Sequence, residues 1–132
     1  YHHVRLDFQG PRLLLSAVDR DNRVFDNMSI SKVVVPVFHR GDGDGDGRMT
    51  ITDAVRTLNF LFLGGSVPSC LEAADFDNSG AVDISDGIHV LNFLFRGGPE
   101  PSPPGSPTLD CGFDPDPLGS AGDLGCETYT GC

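Results

Sequence analysis

Two stretches of this chain repeat one another at an offset of 33 residues. DGDGDGRMTITD at 42–53 aligns with DFDNSGAVDISD at 75–86, and the AVRTLNFLFLGG that follows at 54–65 aligns with GIHVLNFLFRGG at 87–98. An acidic turn of no consequence would not recur together with the segment behind it, so the repeat marks one structural unit used twice. It also poses an electrostatic problem. Asp42, Asp44 and Asp46 alternate with glycine, and their carboxylates repel one another unless a positive charge sits among them.

The spacing fits a divalent cation. Calcium takes roughly six to eight hard oxygens, which a 12-residue loop supplies from positions 1, 3, 5, 7, 9 and 12, with glycine at position 6. In the first block those positions hold Asp42, Asp44, Asp46, the Arg48 carbonyl, Thr50 and Asp53, with Gly47 at the sharp turn. In the second they hold Asp75, Asp77, Ser79, the Ala81 carbonyl, Asp83 and Asp86, with Gly80 at the turn. Two Ca2+ ions are therefore expected, one per loop. Magnesium demands octahedral geometry and keeps several waters, so this many protein oxygens favour calcium. An adhesion reading of the RGD at 40–42 gives way to the role of Asp42 as first ligand.

A helix is expected behind each loop. At about 100° per residue, Val55, Leu58 and Phe62 fall within about 40° of Ile51, and Ile88, Leu91 and Phe95 do the same around Ile84. These stripes are expected to face the core. Thr50 and Asp83 stand at N-cap positions with Asp53 and Asp86 three residues on, a variant of the capping box. Gly64-Gly65 and Gly97-Gly98 are expected to end the helices. Phe60 and Phe93 lie about 180° from the stripes. They are candidate partner-binding residues, unless the tail or the β segment covers them. SKVVVPVFHR before the first loop reads as a strand, so the incoming helix of a true EF-hand is missing.

Loop plus outgoing helix, twice, with Asp at the twelfth position, resembles the dockerin domain over residues 40–98. The resemblance implies a calcium-dependent module of a secreted bacterial protein that docks onto a cohesin domain. The tail CGFDPDPLGSAGDLGCETYTGC is similar to the ending of a dockerin-like subgroup. The chain departs from the pattern where cohesin-reading dockerins carry a polar Ser-Thr pair: here stand Ile51-Thr52 and Ile84-Ser85.

Residues 1–31 alternate like strands around turns at Gln9-Gly10-Pro11 and Asp19-Arg20-Asp21-Asn22. They resemble the closing strands of secreted calcineurin-like phosphoesterases, without that family's GDxH-, GNHE- or GHxH-like metal motifs. A generic β-sandwich ending is the equal alternative. The expected architecture is α+β: a short antiparallel β segment (1–39), the dockerin-like pair of calcium units (40–98), and a Pro-rich spacer with a Cys-rich irregular tail (99–132).

With 39% apolar residues, no Trp, 17 Gly and 10 Pro, the core must be thin, and small units of this kind lean on metals or disulfides. Cys70, Cys111, Cys126 and Cys132 form an even set without C-x-x-C spacing, and the histidines lie far from them in sequence. The expectation is two disulfides in an extracellular or cell-surface setting, with three connectivities open, rather than zinc. A net charge of −10 argues against nucleic acid and anionic membranes, and no apolar run is long enough to span a bilayer. The start at Tyr1 is expected to mark a mature or excised piece. No Ser–His–Asp or Cys–His arrangement has supporting context, so the chain reads as non-enzymatic. The expected function is an extracellular calcium-binding interaction or assembly module, its partner a cohesin-like domain, a domain of the parent chain, or copies of itself in an oligomer or filament. The alternative is the C-terminal portion of a secreted metallophosphoesterase or other hydrolase whose catalytic residues lie outside this chain.

Overall fold

The computed structural model describes residues 3–9, 12–18, 21, 24–31 and 35–132, and divides the chain into two compact units, Tyr1–Val34 and Val35–Cys132. The first unit holds an antiparallel sheet of β1 (His3–Gln9), β2 (Arg12–Val18) and β3 (Val24–Ser31), in that order. Gln9 pairs with Arg12 and Arg12 with Ser31, with a register irregularity at Ala17/Val18. β1 follows the alternation of Val4, Leu6 and Phe8 in the sequence, and β2 the apolar run Leu13–Leu15. Most residues of the two expected turns and the start of VVVPVF lie outside the described residues.

The second unit runs β4 (Val37–Phe38), first acidic loop, α1 (Ile51–Leu63), α2 (Leu71–Ala74), second acidic loop, α3 (Ile84–Arg96), then a tail containing β5 (Gly112–Phe113). β4 pairs antiparallel with β5, joining the start of the unit to its tail. Val37 and Phe38 therefore belong with the loops, and the boundary falls at 34/35 rather than 39/40. The mixture of helices and antiparallel strands is α+β in class.

Local chemistry sets the helix ends. Thr50 and Asp83 are extended N-caps with complete capping boxes, closed by the Asp53 and Asp86 side chains. Gly64 and Gly97 end the helices at φ 68° and 65°, a left-handed conformation that glycine adopts without strain.

Both helices are turned away from the expectation at most positions of their apolar stripes, although Leu91 packs on the core cluster and Leu58 lies against Gly87. Asp53, Ala54 and Thr57 are buried on α1, and Asp86, Gly87 and Val90 on α3. Ile51, Val55, Phe62, Ile84, Ile88 and Phe95 are instead 47–68% exposed. Phe93 packs on the core cluster of Ala54, Phe76 and Val90, its ring centroid 6.5 Å from that of Phe76, and Phe60 is half-buried. Phe60 and Phe93 are thus not the exposed pair. The cause is geometric. Asp53 and Phe60 lie within about 20° of each other around the helix, as do Asp86 and Phe93. A carboxylate turned into its own loop therefore brings the phenylalanine inward. Between the helices, the side chain of Leu58 sits so close to Gly87 that a Cβ there would lie 3.1 Å from Leu58 Cγ.

The tail packs on the loops rather than standing off as a spacer and a separate segment. Pro101 and Ser106 are buried, the Ser102 N–H donates to Phe76 O at 3.0 Å, and the Arg40 N–H donates to Gly105 O at 2.8 Å. Two disulfides, Cys70–Cys126 and Cys111–Cys132, select one of the three connectivities. Among the described residues, no helix is long and apolar enough to cross a membrane.

Arg40 holds these pieces together. Fully buried, it donates from Nε to Pro103 O at 2.8 Å and from one terminal nitrogen to Glu72 O and Asp75 O at 2.8 and 2.9 Å. The other terminal nitrogen meets Asp114 at 2.9 Å and Glu72 at 3.1 Å. With Arg40 and Asp42 both at 0% exposure, the RGD tripeptide offers no adhesion surface. Arg40→Ala would strand Glu72 and Asp114 without a counter-charge and is expected to lower stability by about 3–5 kcal/mol. Urea denaturation in calcium checks this; a loss below about 1 kcal/mol, the range of an exposed pair, would contradict it.

Candidate metal centre

Each loop places carboxylates from both of its ends around one point. One carboxylate oxygen each of Asp42, Asp44 and Asp53 lie within 4.8 Å of one another, and Asp75, Asp77 and Asp86 form the matching group. Position 6 makes this closure possible. Gly47 and Gly80 have φ 83° and 79°, and their N–H groups donate to Asp42 Oδ2 at 2.7 Å and Asp75 Oδ2 at 2.9 Å. Position 4 is also left-handed in both loops, at Gly45 and Asn78. At the far end, Asp53 accepts from Asp44 N and Thr50 N, and Asp86 from Phe76 N and Asp83 N. Each twelfth-position Asp thus joins the start of its loop to the start of its helix.

The remaining expected ligands are placed differently. Asp46 is exposed and lies outside the first group; its Oδ1 accepts the Arg48 N–H at 2.8 Å. Thr50 and Asp83 cap their helices, Thr50 bonding to Thr52 and Asp83 to Ser85. The Ser85 hydroxyl holds the Asp83 carboxyl below its ordinary range. The Ser79 hydroxyl turns onto the Ala81 carbonyl at 3.2 Å. The first, third and twelfth positions therefore converge in each loop, while the side chains at the fifth and ninth serve the local turns.

The converging groups fit a hard divalent cation. All donors are oxygen, without the sulfur or imidazole that softer metals select. Asp42, Asp53, Asp75 and Asp86 are at most 1% exposed. Burial pushes Asp53 up to about 7 and Asp86 up to about 6, against backbone N–H bonds that pull them down. Asp42 and Asp75 are raised by burial as well. Arg40 offsets part of this at Asp75, but Asp42, Asp53 and Asp86 have no such cation beside them among the described residues, and a bound ion would supply the missing counter-charge. The carboxylates of Asp42, Asp44 and Asp53, and of Asp75, Asp77 and Asp86, would hold it.

Two further groups need no such ion. Glu72, Asp114 and Asp123 cluster around a site where Arg40 already pairs with two of them. His39 approaches Cys111 and Cys132, but both sulfurs are in a disulfide and no cysteine is free, leaving no thiolate for zinc. His89 packs on the Phe76 ring at 5.5 Å, with its Nδ1 3.6 Å from Asp77.

Sequence reasoning missed the tail's part in the first loop. The Tyr129 hydroxyl donates to Asp42 Oδ2, and Thr130 Oγ1 donates to Gly45 O at 2.8 Å. Asn78 Nδ2 donates to Asp116 Oδ2 at 3.0 Å beside the second loop. The even cysteine count hinted that the tail folds back but not where it lands. Comparison with protein-family models, curated proteins and solved structures returns no match, so the assignment rests on this geometry.

The titrations give a signed test. A carboxylate whose pKa rises on folding binds more protons folded than unfolded, so stability falls as pH rises between the two values. For Asp53 that window runs from 3.8 to about 7, and for Asp86 from 3.8 to about 6. Without calcium, the thermal midpoint is expected to rise as pH is lowered from about 7 to about 5. With saturating calcium the trend is expected to vanish or reverse, because protons then compete with the ion. Identical pH profiles with and without calcium would contradict the assignment.

Proposed function

We propose that Val35–Cys132 is a calcium-folded, non-catalytic interaction module of a secreted protein. One Ca2+ in each loop neutralises the buried carboxylates and fixes α1 and α3 in the rotation that exposes their apolar stripes. Ile51, Val55 and Phe62 on α1 and Ile84, Ile88 and Phe95 on α3 then form the surface that meets a protein partner. The observation that carries this reading is the matched exposure of six large apolar residues at equivalent positions of a repeat. Isolated exposed apolar residues are ordinary, but a duplicated set on helices that pack together marks a surface built to be covered.

The dockerin resemblance supports docking, and Ile51 and Ile84 stand where cohesin-reading dockerins carry serine. The partner surface is therefore expected to be more apolar than one that reads a Ser-Thr pair. Two disulfides suit secretion.

A variant with Val55→Ser, Phe62→Ser, Ile88→Ser and Phe95→Ser tests the face. Proteins of the native secreted fraction are expected to bind the immobilised chain in calcium and not in EGTA, and the variant is expected to lose at least about 30-fold in affinity, as for a hot-spot cluster. Its calcium uptake and helical signal should remain. Phe93→Ser is expected to destabilise the unit instead. Unchanged association in the four-residue variant would contradict the docking face.

A further inference from the structure

We propose that the Cys111–Cys132 disulfide is a thiol-exchange site, and that opening it frees a clamp which Tyr129 places behind the first cation loop. The proposal rests on reading that loop as a calcium site. Asp42 Oδ2 receives both the Gly47 N–H, at 2.7 Å, and the Tyr129 hydroxyl. Gly131 lies against the same atoms: a Cβ there would come within 2.7 Å of Asp42 Oδ2 and of Gly47 N. Residues 129–131 thus orient the first-position carboxylate from outside the loop. Hydrogen-bonding partners behind a metal ligand commonly set affinity by about 10–100-fold. In the second loop, Asp75 Oδ2 accepts the Gly80 N–H and, among the described residues, no tail hydroxyl donates to it, which gives an internal control.

The disulfide next to the clamp is the more accessible of the two. Cys132 is exposed and Cys111 half-buried, whereas Cys70 is 3% exposed within a cluster with Phe38 and Ala73. The buried His39 ring places Nε2 3.1 Å from Cys111 Sγ. A disulfide sulfur has no proton to donate, so this contact requires the proton on Nε2, pointing at the sulfur. An incoming thiolate attacks Cys132 Sγ and forms a mixed disulfide. The Cys132–Cys111 bond breaks, and its electron pair leaves on Cys111 as a thiolate that the His39 N–H receives. With a dithiol, the second thiol, as its thiolate, attacks the mixed disulfide. It releases Cys132 as a thiolate and leaves the reagent oxidised by two electrons. The tail from Tyr129 to Cys132 then loses its C-terminal anchor over the loop and is held covalently only through Cys126.

The test treats the calcium-loaded full chain with limiting dithiothreitol and maps alkylated cysteines by mass spectrometry. Calcium affinity is then measured from the Gly47 and Gly80 amide resonances, which report the two loops separately. Cys111 and Cys132 are expected to label at least about 10-fold faster than Cys70 and Cys126, and His39→Phe is expected to narrow that ratio. The opened chain should bind calcium about 10–100-fold more weakly at the first loop and unchanged at the second. Tyr129→Phe, which keeps both disulfides, should reproduce the first-loop loss. Labelling of Cys70 and Cys126 first, or equal first-loop affinity in the intact chain, the opened chain and Tyr129→Phe, would overturn the proposal while leaving the calcium reading intact. Absence of calcium binding at either loop of the intact chain would overturn both.

Discussion

Four carboxylates, those of Asp42, Asp53, Asp75 and Asp86, are at most 1% exposed in the unit Val35–Cys132. A buried carboxylate without a counter-charge is strongly unfavourable, and backbone N–H bonds offset only part of that. Yet each of these groups closes its loop and, through Asp53 and Asp86, starts a helix at a defined rotation. The Ca2+ we propose to compensate them would therefore act on the orientation of α1 and α3, not on the loops alone. Ion binding, helix rotation and exposure of the apolar face are one linked event in this account.

The unit has little apolar core to fall back on. Its fully buried apolar residues are Phe38, Ala54, Cys70, Ala73, Ala74, Phe76 and Val90, several of them small. Arg40 compensates as a polar centre, joining the backbone of α2, the start of the second loop and the tail. A single guanidinium can do this because its planar fork offers five donors in fixed directions. The two disulfides then hold the tail over surfaces that a larger core would otherwise cover.

The loops, caps and helix ends were legible in the sequence because their determinants are local. Asp–x–Asp spacing, a glycine at the sixth position and a cap with its partner three residues on each act within one turn. Helix rotation was misread because Phe60, Leu61, Leu58, Ile51, Phe62 and Val55 occupy more than about half of the helix circumference. An apolar stripe that wide does not name its own inner side. The information was present all the same: Asp53, assigned as a ligand, shares a face with Phe60. The disulfide pairing, the landing site of Tyr129 and the burial of Arg40 were not legible, since each joins residues more than 20 positions apart with no local pattern. In the first unit, the alternating runs gave three strands close to those observed.

The central claim is that the buried carboxylates of both loops are cation ligands, and isothermal titration of the calcium-free full chain with Ca2+ tests it most directly. The account predicts two ions per chain with micromolar or tighter affinity, about 8 kcal/mol per site, accompanied by a gain of helical signal in the far ultraviolet. No calcium uptake, or a helical signal indifferent to EGTA, would contradict it.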